Sequence, residues 1–529
     1  MALDVDAARR VEVLDTTLRD GAQMQGISFS MQDKLKIARC LDDIGLDLIE
    51  AGNPGSNPKD AAFFERASAL KLRRSSLVAF GATRRAGVRV EDDKNIAAVI
   101  SSGARVAAIV GKCWDYHVRE VLKTTNDENL RMICDSVRYV TSKGLRVIFD
   151  AEHFFDGYAS DSGYAFECLE AAFSAGARTL CLCDTNGGAF PSGVSAVTSR
   201  AAALFASRAD IGIHCHNDGG MAVANTVCAF ESGASHIQGT LNGYGERCGN
   251  ANLSSVIPNI QLKTGCVCIA PDKLAQLTDA SRQISEIANI PHDESAPYVG
   301  AHAFSHKGGM HIDGVGKTPL SFEHVDPAVV GNERRLLMSE ISGRSVLLRK
   351  LRLIAPEADK DSPITKTAME RLKELEYEGY QYEGAEASFE LEIKKLLNIY
   401  KPHFSLVEFK VIVSEPSVDG AAAAALIKIR VNGQDEITAD EGGGPVESLD
   451  RAIRKALERF YPQIKKMKLT DYKVRVIDSG AAAAAKVRVL IESTDGAETW
   501  TTIGVSDDII HASWKALVDS MEFMLMKHS

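Results

Sequence analysis

The sequence predicts an α/β chain: a (β/α)8 TIM barrel, then a helical linker subdomain, then a C-terminal α+β domain built from two β-β-β-α repeats. Three observations carry that prediction. Short apolar runs bounded by Gly, Asp, Asn or Thr alternate with helix-length amphipathic stretches, the pattern of parallel strands and crossover helices. No Gly-rich dinucleotide fingerprint follows the first run, which favours closure into a barrel over a doubly wound open sheet. The C-terminal residues repeat both an order of elements and a run of alanines.

The eight predicted strands are Val11–Asp15, Leu46–Glu50, Leu77–Phe80, Val106–Val110, Arg146–Ala151, Thr179–Cys183, Ile211–His216 and His236–Leu241. "ISSGA", "AFSAGA" and "AFESGAS" precede strands four, six and eight, each placing Gly where a helix ends. The barrel is assigned residues 1–265, the linker subdomain 266–400 and the regulatory domain 401–529. In the linker, Pro and charged residues crowd Pro356–Pro363, Thr365–Tyr380 reads as an amphipathic helix, and His302, His306, His311 and Asp313 form a polar group. One C-terminal repeat runs Val407–Val413, Ala421–Val431, Gln434–Ala439 and helix Pro445–Tyr461. The other runs Tyr472–Ile477, Ala481–Glu492, Thr499–Val505 and helix Asp508–Met524.

A chain of 529 residues is too long for one ordinary core. Its 25% charged residues and net charge of -10 exclude the basic field of a nucleic-acid binder. "MALDVDAARRVEVLD" has no apolar signal core, and no stretch approaches the ~20 apolar residues of a membrane span, so a cytoplasmic protein without membrane partners is expected. The 11 cysteines are scattered, and Cys181 and Cys183 sit inside an apolar run, which suits reduced buried thiols.

Polar residues at the C-terminal ends of barrel strands are the candidates for chemistry. In "GIHCHND", His214 and His216 alternate with Cys215 along a strand, so both imidazoles project to one side. Two such rings suit a divalent metal. "LDTTLRDGAQ" supplies Asp20 after the first strand, which closure brings beside strands seven and eight, and "LNGYGERCGN" adds the amide oxygen of Asn250 on a Gly-rich turn. Two imidazoles, a carboxylate and an amide leave room for a bidentate keto acid, an arrangement for Lewis-acid catalysis on a carbonyl. The mixed nitrogen and oxygen set selects weakly, pointing to Mg²⁺ or Mn²⁺ and admitting Zn²⁺. Arg19 offers fixed positive charge to a developing oxyanion, or an ordinary salt bridge. Glu152 in "FDAEHFFDGY" can take or relay a proton, and Thr185 in "CDTNGG" can hold a substrate carboxylate or cap a helix.

At these residues the chain resembles the DRE-TIM metallolyase family, in the branch of 2-isopropylmalate, homocitrate and citramalate synthases. "LDTTLRDGAQ", "HCHND" and "GTLNGYGERCGN" stand in the family's order, and the repeated C-terminal module is similar to its regulatory domain. The resemblance implies a metal held by Asp20, His214 and His216 with Asn250 nearby, Arg19 polarising the keto acid, Thr185 on its carboxylate, and Glu152 in the catalytic machinery. His311 in "HKGGMHIDG" matches a linker histidine that the family extends into a partner's active site, implying a domain-crossed homodimer. Phe322 and His324 stand where a tyrosine is expected. "AGNPGSNPKD", "EHFFDGY" and "AFSHKGGMHIDG" look most like members that condense acetyl-CoA with pyruvate, which implies inhibition by isoleucine. A member taking 2-ketoisovalerate, with leucine as effector, is the alternative. A lyase or carboxyltransferase on the same barrel and a non-catalytic amino-acid sensor fit less well: the long repeat argues against the first, and the intact Arg19, Asp20, His214 and His216 against the second.

Overall fold

A computed structural model gives the fold and describes residues 9–528 apart from 68–69, 337–347, 349–350, 353, 357–358, 360–361, 383, 419–420 and 478–484. The chain forms two compact units, residues up to 304 with 325–334, and residues 305–324 with 335–529.

In the first unit β1 (Glu12–Asp15), β2 (Leu48–Gly52), β3 (Ser76–Ala82), β4 (Val106–Lys112), β5 (Arg146–Glu152), β6 (Thr179–Asp184), β7 (Asp210–Cys215) and β8 (His236–Gly239) close into a barrel in sequence order. β1 pairs in parallel with β8, from Glu12 opposite His236 to Asp15 opposite Gly239. Every predicted strand is present. The eighth stops short of Leu241 because the chain turns there into a short 3-10 segment, where the Leu241 N–H donates to Asp15 Oδ2 at 3.0 Å.

Alternation along the strands sorts the side chains. Ile211 and Ile213 of β7 belong to the large core between strands and surrounding helices, whereas Leu14, Leu48, Val78, Ile148, Cys181 and Cys183 form a separate apolar layer. The helix entering β1's neighbour, Met31–Asp43, starts on a capping box between Ser30 and Asp33. Gly233 ends the helix before β8 with φ +111°, and a Cβ there would sit 2.8 Å from Ala202 Cβ, so the position takes no larger residue without a shift. All described cysteines are free, and burial keeps the Cys181 thiol protonated far above the ordinary range. Among the described residues no helix is long and apolar enough to cross a membrane.

The second unit carries the linker helix Gly309–Lys317, the helices Pro363–Glu378 and Glu386–Leu396, and two three-stranded antiparallel sheets. His306 pairs with Glu323 at 3.0 Å, Asp313 with Lys317 at 2.6 Å, and His311 stacks on Phe322 with ring centroids 4.1 Å apart. In the first unit, His302 pairs with Glu294 at 2.9 Å. The linker's polar residues thus take local partners.

The sheets are Ser405–Val418, Ala421–Val431 and Gln434–Gly442, followed by helix Pro445–Glu458, and Lys468–Val476, Val487–Thr494 and Thr499–Ser506, followed by helix Ile509–Lys527. This is the predicted repeat; residues 481–484 of its second alanine run lie outside the described residues. Ile427 and Ile429 share one core with Leu449 and Ile453 of the first copy and with Val489, Ile491, Ala516 and Leu517 of the second. The copies share a hydrogen bond. Thr438 Oγ1 donates to Ala452 O at 2.7 Å and Thr502 Oγ1 to Ala516 O at 2.8 Å, each across 14 residues. The helix starts are partly filled by the chain's own carboxylates. The Gly443 N–H donates to Glu447 Oε2 at 2.9 Å, and His511 N–H to Asp508 Oδ1 at 2.7 Å.

Candidate active site

β7 delivers His214 and His216 to the mouth of the barrel because residues two apart on a strand face the same way. Their Nε2 atoms lie 3.4 Å apart, and Asp20 Oδ2 is 3.4 Å from His214 Nε2 and 3.8 Å from His216 Nε2. All three residues are buried, and their ligand atoms lie within 4.8 Å of one another. Asn250 pairs in an isolated bridge with His216 and is fixed by donating from Nδ2 to Tyr244 O at 3.0 Å. Gly245 permits that contact, since a Cβ there would lie 2.1 Å from Asn250 Nδ2. The structure thus brings together the predicted ligands Asp20, His214 and His216, with Asn250 on the adjoining turn.

Two observations test whether the set fits a cation. Asp20 Oδ1 and Asn250 Oδ1 are buried without a hydrogen-bond donor, and such atoms cost about 1–3 kcal/mol each unless something satisfies them. Electrostatics point the same way: burial opposes ionisation of Asp20, but Arg19 and His214 outweigh it and hold the carboxyl well below the usual range. Burial, reinforced by His214, pulls the His216 imidazole down to about 4, leaving a neutral ring with a lone pair to give. The donor set and its geometry therefore fit a divalent metal.

Beneath the ligands runs a column of buried polar residues. His214 Nδ1 lies 3.0 Å from Gln238 Oε1, and Gln238 Nε2 donates to Asp150 Oδ1 at 2.8 Å. An amide oxygen accepts, so Nδ1 carries the proton and Nε2 is directed at the site, the orientation a metal ligand needs. Deeper, His236 Nδ1 lies 2.9 Å from Oε2 of Glu12, and Arg146 donates one hydrogen bond of 2.6 Å to each oxygen of that carboxylate.

Arg19 donates from Nε to Glu50 Oε2 at 2.5 Å and from NH1 to Asp20 Oδ2 at 3.2 Å, while its guanidinium lies 4.1 Å from the Phe80 ring centroid. Arg19 is salt-bridged to Glu50 and Asp20, and it also lines the cavity. Burial pushes the Glu50 carboxyl up to about 7, against the pull of Arg19. Glu152 ends β5 in an ion pair with Lys112, which ends β4. Thr185 Oγ1 accepts the His153 N–H at 2.8 Å, so its own O–H remains to be donated. Arg19, Asp20, Glu152, Thr185, His214 and His216 line one cavity of about 640 Å³, far larger than a three-carbon keto acid requires.

Glu50, Asp150, Gln238 and Arg247 are site residues that the motifs did not reveal. Arg247 sits at φ +54° and donates to both oxygens of Asp218 at 2.7 and 2.9 Å and to Thr185 O at 2.8 Å, tying the eighth loop to the sixth. His311 belongs to the other compact unit, exposed on its helix.

Comparison with known proteins agrees with this geometry. Residues 10–284, just over half the chain, match the model of the HMGL-like family. The chain belongs to the HMGL-like family. Residues 298–379 match the homocitrate synthase post-HMGL domain-like model, and residues 383–525 the LeuA allosteric (dimerisation) domain. Within the family the chain is 49% identical to an (R)-citramalate synthase of Synechocystis sp., covering 97% of this chain and 95% of the relative. It is 47% identical to an (R)-citramalate synthase of Aquifex aeolicus over 98% of both chains. A probable 2-isopropylmalate synthase of Methanopyrus kandleri is more distant, at 31% over 96% of this chain and 97% of the relative. This HMGL-like enzyme thus groups with the citramalate synthases along its whole length.

Proposed function

We propose that the enzyme condenses acetyl-CoA with pyruvate and water to give (R)-citramalate and CoA, a step toward isoleucine. The observation that carries the reading is the buried Asp20, His214 and His216 set beside Arg19 at the barrel mouth, in a chain like citramalate synthases from end to end.

Asp20, His214 and His216 hold the divalent cation with Asn250 close by; the mixed set suits Mg²⁺ or Mn²⁺ and accommodates Zn²⁺. Such a cation supplies Lewis acidity toward a carbonyl. Arg19, fixed by Glu50, presents its charge where the carbonyl oxygen of pyruvate becomes anionic. The Thr185 hydroxyl donates to the pyruvate carboxylate. Glu152, or His311 reaching in from the partner of a domain-crossed homodimer, removes a proton from the acetyl methyl directly or through water. The resulting carbanion forms a bond to the keto carbon, whose oxygen gains a proton. Water then cleaves the thioester, releasing CoA as the thiol and leaving the new carboxylate.

The reading is tested by ranking kcat/KM for thiol release across pyruvate, 2-ketobutyrate and 2-ketoisovalerate. Pyruvate is expected to lead by at least about tenfold per added methyl group, the lower end of what a hydrophobic pocket discriminates. A preference for 2-ketoisovalerate moves the enzyme to isopropylmalate formation.

The match to the allosteric (dimerisation) domain supports an effector acting through the C-terminal repeat, and isoleucine, toward which the proposed product leads, is the inhibitor expected there. An effector acts only by binding two states of the enzyme differently. Millimolar isoleucine is expected to lower kcat/KM and to give a binding heat in calorimetry. Unchanged activity with neither isoleucine nor leucine binding overturns this assignment.

A further inference from the structure

We infer that Arg85, at the rim of the main cavity beside the ends of β3 and β4, receives a phosphate of the acyl-CoA thioester; the inference rests on the proposed use of acetyl-CoA. The cavity of about 640 Å³ is lined by Asp20, His214 and His216 and also by Lys112, Arg85 and Val121, and the space beyond the keto acid is where a long thioester must lie.

Coenzyme A is a polyanion at its nucleotide end, so its path is set by which cation is available. Five cationic side chains line this cavity, and four are already committed. Arg19 pairs with Glu50 and Asp20. Arg84 pairs with Glu128 at 2.8 Å and Asp135 at 2.9 Å. Lys112 pairs with Glu152, and Arg247 with Asp218 at 2.7 Å. Among the described residues, no carboxylate pairs with the Arg85 guanidinium, and the residue is exposed.

Its backbone, by contrast, is pinned: the Arg85 N–H donates to Asp93 Oδ2 at 3.1 Å, and Arg84 NH1 donates to Arg85 O at 3.2 Å. An exposed guanidinium on a fixed backbone can take up a phosphate with two parallel hydrogen bonds, its planar fork losing less rotamer freedom per bond than a lysine would. Val121, an apolar side chain left 56% exposed on the same stretch of wall, offers contact area to the uncharged pantetheine arm. The opposite rim is less suited to a polyanion, because Glu246 lines it and Arg247 there is held by Asp218.

The test compares wild-type enzyme with Arg85→Gln and Arg85→Glu. KM for acetyl-CoA is expected to rise roughly 3- to 10-fold in Arg85→Gln and further in Arg85→Glu, with kcat and KM for pyruvate unchanged. S-acetyl-N-acetylcysteamine, a thioester without phosphates, should be used equally well by all three proteins. Calorimetry with free CoA should show the same loss of affinity and a weaker dependence on salt. Unchanged KM for acetyl-CoA and unchanged CoA affinity in Arg85→Glu overturn the inference, as does an equal loss with the phosphate-free thioester. Failure of the wild-type enzyme to bind CoA or use acetyl-CoA at all instead overturns the proposed reaction, and this inference with it.

Discussion

Replacing His214 by alanine is expected to release the divalent metal and to lower turnover by more than roughly a hundredfold. Residues that merely orient a metal ligand are worth about 10–100-fold in affinity, and His214 is in direct line with Asp20 Oδ2 at 3.4 Å. Its removal also strands Gln238, whose Oε1 then loses its donor. Metal analysis after dialysis is the primary readout, with circular dichroism to establish that the barrel is intact. Wild-type enzyme stripped with chelator should match the variant and recover on adding Mn²⁺, whereas the variant should not. Stoichiometric metal and ordinary turnover in folded His214→Ala would falsify the ligand assignment.

Glu152→Gln should lower kcat by roughly 10²–10⁴ while leaving pyruvate binding in place, the cost of removing a positioned general base. Glutamine keeps the shape and can still accept from Lys112, so the pairing of the β4 and β5 ends survives. Exchange of acetyl-methyl hydrogens with deuterated solvent separates proton removal from later steps and should be suppressed in the variant. If His311 completes the site across subunits, mixing Glu152→Gln with inactive His311→Ala protein should restore part of the activity through hybrid dimers. Wild-type kcat in Glu152→Gln removes the residue from the mechanism, and no recovery despite proven subunit exchange removes the crossing.

The barrel was legible because its periodicity is strong: every strand carries apolar residues, and the glycine before β8 marks a helix end. His214 and His216 were legible because spacing by two on a strand needs no tertiary knowledge. Glu50, Asp150 and Gln238 were not, since "LIEAG", "IFDAE" and "HIQG" read as short barrel strands whose inner polar residues stand in no ligand or catalytic spacing. The signal was there in weaker form. In a closed barrel, alternate residues face the lumen, so an acid or amide set among apolar residues in such a run is a candidate for the interior network. Arg247 escaped notice because its contacts join residues up to 62 positions apart through a loop. His311 could be placed near the site only by resemblance, because spacing within one unit does not carry over to another.

Closure of the eight-stranded barrel has a practical corollary for handling the protein. A ring of strands presents no rim strand, whereas each three-stranded sheet of the C-terminal repeat has two. Those strands also show apolar side chains to solvent, with Ile412 65%, Val413 63% and Ile437 59% exposed. Unpaired N–H and C=O groups beside such residues are templates for intermolecular pairing. Among the described residues, the aggregation hazard of these sheets is therefore concentrated in the last quarter of the chain.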